Sequence, residues 1–350
     1  MAELVSGPLV LDRLSKSFAN TAVVKDLSIQ IEAGEFVALL GPSGCGKTTV
    51  LRMIAGFEAP DEGTITLAGE CLSSPQIHRP PEQREMSMVF QSYALWPHKN
   101  VADNVGYALR LKKVPREEYQ RRVQAALAAV NMQAFAERMP AQLSGGQRQR
   151  VALARCLIAE PKVVLLDEPL ANLDRHLRDA MERNFREFHQ RTAASFIYVT
   201  HDQAEAMALA DKIAVMQAGR IVQFATPEVI YQQPATEWVA RFIGQGSILY
   251  LYNHKSLYAA DALVKSPGDG QAPTERLLIR PQHIRLLSSM AAKAQAHLPG
   301  SVIERVFKGE RYQYRVALAG QQELSFYSEE RFDLGQNLAL SVEHSHALSA

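Results

Sequence analysis

Residues 41–48 read Gly-Pro-Ser-Gly-Cys-Gly-Lys-Thr and fit the phosphate-binding pattern G-x-x-x-x-G-K-[ST] at every position. The apolar run Phe36-Val37-Ala38-Leu39-Leu40 precedes this loop, and residues 47–56 follow with a helical pattern that Gly56 stops. A buried strand, a glycine loop and a helix in that order constrain the fold more than any other feature of the chain. They predict an α/β domain with a mainly parallel sheet, because parallel strands are buried on both faces and read as continuous apolar runs.

The loop carries its own chemistry. Gly41, Gly44 and Gly46 let backbone N–H groups close around phosphates, with Pro42, Ser43 and Cys45 completing the turn. Lys47 supplies a point charge for the outer phosphates, and the Thr48 hydroxyl is a candidate ligand of Mg2+. A second glycine turn, Leu143-Ser144-Gly145-Gly146-Gln147, opens another helix, with Ser144 as its N-cap. The chain thus offers two helix N-termini to anions. That pairing suggests a nucleotide held between two surfaces, on one chain or on two.

Other strand ends bear candidate residues. Val163–Leu166 is a continuous apolar run ending at Asp167 and Glu168. Asp167 is placed to hold Mg2+ through water, and Glu168 to polarise an attacking water as general base. Gln91 follows the strand expected at 86–90, and His201 follows the one expected at 195–200. Ligands of open parallel sheets bind at that edge, where Gln91 is a candidate for metal or water and His201 for a terminal phosphate oxygen. The aromatic segment Ser92–His98 reads either as a docking groove for a partner or as a loop folded onto its own core. Cys45 sits ahead of a helix whose N-terminal field favours a thiolate, so it is expected to be a reactive thiol that nucleotide protects. His78, His176 and His189 show no metal-ligand spacing and read as surface residues.

The character of the chain changes near residue 240. Pro/Gly breaks separate short alternating runs, with strands expected at 302–307, 313–318 and 338–342, which is a small all-β domain. The expected boundary lies between residues 1–242 and 243–350. No apolar run approaches the length of a spanning helix, and the first residues lack the pattern of a signal peptide. Three scattered cysteines give no disulfide framework or zinc site. A net charge of +1 makes no electrostatic case for nucleic acid as a partner.

With these pieces in order, the chain resembles the ATP-binding subunits of ABC transporters over nearly its whole length. Gly41–Thr48 looks like the Walker A loop, Gln91 like the Q-loop glutamine and Leu143–Gln147 like the ABC signature. Val163–Glu168 looks like Walker B, Leu173-Asp174 like the D-loop, and His201 like the switch histidine. Phe18 stands where the family places the aromatic that stacks on adenine, with Val23 at the usual offset. The resemblance also carries Thr49 and Asp174 into the nucleotide-binding set. Leu278–Arg285 resembles the opening of the small OB-like regulatory barrel, the TOBE domain, of importer ATPases.

The resemblance implies ATP and Mg2+ as cofactors and hydrolysis driving solute uptake. It implies a homodimer in which Ser144, Gly145 and Gly146 of one chain complete the site on its partner, with Gln147 also in the nucleotide-binding set. Integral membrane permease subunits and an extracellular or periplasmic solute-binding protein complete such systems, at the cytoplasmic face of the inner membrane. The stretch at residues 81–98 looks most like the ferric-iron and phosphonate subgroups. The alternatives are a soluble ABC ATPase acting on DNA or ribosomes, and a regulatory protein whose barrel senses a metabolite. Residues 49–142 have no room for the long coiled coil of the DNA-repair members, and the chain holds one cassette rather than two.

Overall fold

The computed structural model describes residues 7–171, 175–252, 256–259, 262–264, 272–288 and 297–348. By contacts the chain divides into two units, Met1–Pro227 and Glu228–Ala350.

The first unit opens with β1 (Leu9–Phe18), β2 (Thr21–Ile31) and β3 (Phe36–Leu40), followed by α1 (Lys47–Ala55). Then come β4 (Glu62–Leu67), β5 (Glu70–Ser73) and β6 (Met86–Val89). A helical stretch holds α2 (Val101–Leu111), α3 (Arg116–Ala129) and α4 (Gly145–Leu157). The unit continues with β7 (Val163–Asp167), α5 (Arg175–Arg191), β8 (Ser195–Thr200), α6 (Gln203–Leu209), β9 (Lys212–Gln217) and β10 (Arg220–Ala225).

Two sheets result. One is antiparallel, in the order β2-β1-β4-β5; the other has six strands in the order β10-β9-β3-β8-β7-β6. In the second sheet β6, β7, β8, β3 and β9 run parallel, and β10 closes the edge antiparallel to β9. All five residues of β3 and all six of β8 are buried, as continuous apolar strands of a covered parallel sheet should be. The sequence reading did not include β2. Its alternation breaks at a register shift near Asp26, which has a positive φ of 50°.

The core of this unit lies between the two sheets and α1, joining Leu11, Ile31, Ile54, Leu165 and Ile197. Gly56 ends α1 in the left-handed region, at φ 87°. Beside it, buried Arg84 donates to the carbonyls of Met53 and Ile54, satisfying the last turn of α1 in place of a further helical turn.

The second unit carries α7 (Pro227–Gln232) across the division point and α8 (Glu237–Phe242), then β11 (Ser247–Leu251), β12 (Glu275–Ile279) and β13 (Ile284–Leu286). It closes with β14 (Leu298–Phe307), β15 (Tyr312–Ala317), β16 (Glu323–Ser328), β17 (Asn337–Val342) and β18 (His346–Ala347). All its strand pairs are antiparallel, in sheets ordered β11-β12-β18 and β13-β17-β14-β15-β16. Leu249, Ile279, Tyr314, Val316 and Phe326 fill their common core. Arg280 is buried and donates to the carbonyls of Tyr231, Ile243 and Gln245, which holds α7 and the chain after α8 to the end of β12.

Candidate nucleotide site

Four parallel strands end side by side. Leu40 pairs with Thr200, Asp167 with Val199, and Val89 with Leu166. The residues following these pairs are Gly41, His201, Glu168 and, one further on, Gln91. Strand register therefore brings together on one edge residues that lie up to 160 positions apart in sequence.

The loop after β3 needs its glycines for two separate reasons. A Cβ on Gly41 would collide with the Met216 carbonyl and lie 2.7 Å from Cys45 Sγ. Gly46 caps α1 at φ 106°, where an L side chain is strained, and a Cβ there would meet the Val23 carbonyl. The turn between β9 and β10 supports the loop from outside, since Gly219 N–H donates to the Cys45 carbonyl at 3.1 Å. Pro42, Ser43 and Gly44 are exposed, while Thr48 and Thr49 are half-buried. Lys47 is buried and curls over its own loop, donating to Gly41 O at 2.7 Å and Pro42 O at 3.1 Å.

Cys45 does not behave as the sequence suggested. Its side chain turns inward and joins the hydrophobic core. Burial pushes its thiol above the ordinary value, against the opposing charge of Lys47. The helix field is outweighed because the sulfur lies under the loop rather than on its open face. Cys71 is the one cysteine with partial exposure.

Thr48 Oγ1 donates to Asp167 Oδ1 at 3.2 Å, which joins the start of α1 to the end of β7. Burial raises the Asp167 carboxyl above the usual carboxylate value; the Thr48 bond opposes the shift and the Glu168 charge adds to it. Glu168 has a positive φ of 44°, and its N–H donates to Val199 O at 3.0 Å. That kink turns the chain away from β7 and swings the carboxylate toward β8, where His201 Nδ1 lies 3.4 Å from Glu168 Oε1. A non-glycine residue held at such a φ is a strained position of the kind that clusters at working sites.

Ser144 caps α4 as expected. Its hydroxyl accepts from Gln147 N–H at 3.3 Å, and Gln147 Oε1 accepts from Ser144 N–H at 2.9 Å. Gln147 is thus occupied within its own turn, and Ser144 faces outward with Gly145 half-buried and Gly146 buried. Helix α4 packs on α2, α3 and β6, and α1 packs on β6, β7 and β8. Neither has an acidic residue in its first turn, unlike α2, α3, α6 and α8. An acid there would compete with a bound anion for the helix field.

Phe18 ends β1 with its ring 42% exposed and Lys16 Nζ 5.4 Å from the ring centroid. Val23, early in β2, is half-buried. An exposed aromatic face at a strand end is free to stack on a flat ligand. Gln91 is exposed. Asp174 lies outside the described residues.

The 92–98 loop is folded onto its own unit. Tyr93 is buried, and Trp96 packs on Tyr107 at 4.4 Å between ring centroids. Arg155 donates to the carbonyls of Tyr93 and Ala94 and lies over the Trp96 ring. Buried Asn104 binds both the N–H and the carbonyl of Trp96 and the carbonyls of Lys99 and Asn100. Two of the histidines expected at the surface also have internal partners: His189 Nε2 bonds the Gly34 carbonyl and His78 bonds Ser73.

The sequence reading missed Asn104, Gln149, Arg155, Arg178 and Glu205. Asn104 had a signal, a polar residue on the inward stripe of α2 beside Val101 and Val105. Gln149 is buried in α4 and donates to Pro169 O at 3.1 Å, tying the signature helix to the residue after Glu168.

Two family patterns match the chain: that described as ABC transporter over residues 24–171, and that described as TOBE domain over residues 277–348. The spermidine/putrescine import ATP-binding protein PotA of Legionella pneumophila (strain Philadelphia 1) is 42% identical over 323 residues, 89% of this chain and 88% of its own. The protein of the same name from Nitratidesulfovibrio vulgaris is 41% identical over 344 residues, 93% of this chain and 91% of its own. The sn-glycerol-3-phosphate import ATP-binding protein UgpC of Paracoccus denitrificans is 44% identical over 284 residues, 79% of this chain and 78% of its own.

Proposed function

The chain belongs to the ABC transporter family, as an ATP-hydrolysing import subunit with a C-terminal TOBE domain, and from that premise we propose how its residues divide the work. The observation that carries the reading is the sheet edge where Gly41–Thr48, Gln91, Asp167, Glu168 and His201 meet.

The loop N–H groups and Lys47 bind the phosphates of ATP, with Lys47 leaving its own loop carbonyls to do so. Phe18 stacks on the base, with Val23 beside it. Thr48 and Asp167 present a hydroxyl and a carboxylate 3.2 Å apart, a hard oxygen pair that suits Mg2+, with Gln91 as a further neutral ligand. When bound, Mg2+ neutralises charge developing on the phosphates. Glu168 orients and deprotonates the attacking water, and His201 holds Glu168 and a terminal phosphate oxygen in register.

A single chain leaves the α4 N-terminus without an anion, so the working unit is a homodimer. Ser144, Gly145 and Gly146 of each chain, with Asp174, complete the site on the other. No helix among the described residues is long and apolar enough to cross a membrane. As an import subunit of this family, the chain acts at the cytoplasmic face, docked on permease subunits that a solute-binding protein supplies.

For the solute, the relatives favour a polyamine, since the proteins at 41–43% identity over most of the chain are spermidine/putrescine import proteins. They lend no support to ferric iron or phosphonate, and the reading of residues 81–98 in that direction is set aside. The test is ATP-dependent uptake by the permease complex in proteoliposomes, offered spermidine, putrescine and glycerol 3-phosphate in parallel. Uptake of spermidine or putrescine coupled to ATP hydrolysis supports the proposal. Hydrolysis coupled to glycerol 3-phosphate alone leaves the import role and removes the polyamine.

A further inference from the structure

His201 is an exposed residue of the sheet edge. Its side chain is 56% exposed, and its Nδ1 lies 3.4 Å from Glu168 Oε1. The residues on either side of it are held much more firmly. Thr200 Oγ1 donates to Glu205 Oε2 at 2.7 Å and accepts from Asp202 N–H at 2.9 Å. Asp202 Oδ1 caps α6 by accepting from Ala204 and Glu205 N–H, while its Oδ2 accepts from Arg178 Nη1 at 2.9 Å.

These bonds converge on two residues. Glu205 is 3% exposed, and its Oε2 takes hydroxyl bonds from both Tyr198 and Thr200. Its other oxygen, Oε1, faces Arg178 Nε at 3.7 Å. That Nε has no hydrogen-bond partner among the described residues, so the guanidinium holds Asp202 through one nitrogen and leaves the second aimed at the buried carboxylate. A cavity of about 30 Å³ lies among Glu168, Arg178, His201, Asp202 and Glu205, room for one water between the pair and the reacting carboxylate. Arg178 lies on α5, a different element from the strand end and helix that hold His201.

We propose that Arg178 and Glu205 are positioning residues for hydrolysis, clamping α5 to the two neighbours of His201 so that the imidazole stays aligned with Glu168. This rests on the role given to Glu168 and His201 above. Neither clamp residue touches ATP. The clamp fixes the backbone on both sides of His201, and a small misplacement there is amplified in rate, since displacements near 1 Å can cost ~10²-fold.

The test is a set of double-mutant cycles on the dimeric protein, reading kcat, KM for ATP and melting temperature. Arg178→Met and Glu205→Gln should each lower kcat by about tenfold and leave KM within about twofold. Arg178→Lys, which keeps the charge, should recover most of the loss. In a His201→Ala background, followed by single-turnover hydrolysis, the same substitutions should change the rate by less than about twofold, because a clamp on an absent side chain has nothing to position. Equal losses in both backgrounds, a rise in KM with kcat intact, or failure of Lys to rescue would each overturn the proposal. So would failure of both Arg178→Met and Glu205→Gln to fold, which would make the pair general scaffold. Wild-type turnover by His201→Ala alone would instead remove the reading of His201 on which the clamp depends.

Discussion

Thr48 and Asp167 stand 119 residues apart in sequence, yet their side chains share a hydrogen bond of 3.2 Å. The bond joins the phosphate loop to the acidic strand end and favours the ionised Asp167, but burial outweighs it and holds the carboxyl above its ordinary value near 4. A raised carboxylate favours the folded state while protonated. That contribution is present below the unfolded value and is lost as pH rises through the folded one, so at neutral pH the ionised group costs stability. Asp167→Asn should therefore raise the melting temperature of the nucleotide-free protein at pH 7. The gain should shrink toward pH 4. Hydrolysis should fall at least tenfold, with its dependence on Mg2+ blunted. Calorimetry across pH, beside an Mg2+ titration of turnover, checks both; a destabilised Asn variant at pH 7 would contradict the assignment.

Glu168→Gln should bind ATP as the wild type does and lose about 10²–10⁴-fold in turnover, since the amide cannot take a proton from water. The side chain keeps its size and the kink at φ 44° is unchanged, so the fold should be unaffected. Equilibrium binding of a fluorescent ATP analogue and steady-state phosphate release separate the two effects. Turnover above about a tenth of the wild-type rate would assign the base elsewhere.

What could be read from sequence followed physical locality. β3, β7 and β8 were legible because a strand covered on both faces must be apolar throughout, and the residue after each run falls on the ligand edge. Gly46 and Ser144 were legible because caps are local chemistry. The inward turn of Cys45 was not, because the core that buries its side chain includes Val199, Ala214 and Met216, far along the chain. The 92–98 segment defeated the reading for a similar reason. An aromatic side chain suits a groove and a core equally well, and Arg155 and Asn104, which hold Tyr93 and Trp96 onto their own unit while Ser92, Ala94, Pro97 and His98 stay exposed, lie on other elements. Arg178 and Glu205 gave no periodic signal, since their partnership crosses from α5 to α6.

The cysteines offer a direct check on the loop. Maleimide should label Cys71 first, because it is half-exposed while Cys45 and Cys156 are buried. Burial raises both buried thiols, that of Cys156 to about 12, so neither presents a thiolate at neutral pH. Labelling at Cys71 should leave ATPase activity intact, and Mg-ATP should not slow it. Peptide mapping that finds Cys45 modified first, with ATP protecting it, would restore the reactive loop thiol and contradict the inward orientation.

Asn104 organises the loop after Gln91 through four bonds to the backbone of Trp96, Lys99 and Asn100, all from a fully buried side chain. Asn104→Ala should cost about 2–3 kcal/mol, because it leaves buried carbonyls and an N–H without partners. Tyr93→Ala should cost about 3 kcal/mol by opening a cavity. Urea unfolding measures both. A neutral Tyr93→Ala would return that ring to the surface and revive the docking-groove reading.

Ser144 gives the sharpest test of the shared site. It faces outward at the N-terminus of a thirteen-residue helix with no acid in its first turn, and its hydroxyl bond to Gln147 N–H leaves the N–H groups of Gly145 and Gly146 free to meet an anion. Ser144→Arg should abolish hydrolysis in the homodimer while leaving ATP bound at Lys47. Loss of the cap alone costs only ~1 kcal/mol, and Ser144→Ala controls for it. A chain with Lys47→Ala should also be inactive alone. If Ser144 acts across the dimer, a mixture of the two inactive chains regains activity, because each heterodimer pairs an intact loop from one chain with an intact Ser144 from the other. Random exchange makes half the dimers heterodimers with one good site each, so about a quarter of wild-type sites return. If Ser144 serves its own chain, no combination contains a whole site and the mixture stays inactive. Nucleotide occlusion, measured beside phosphate release, keeps the result readable if hydrolysis requires both sites. A silent mixture whose subunits demonstrably exchange would rule out the shared site.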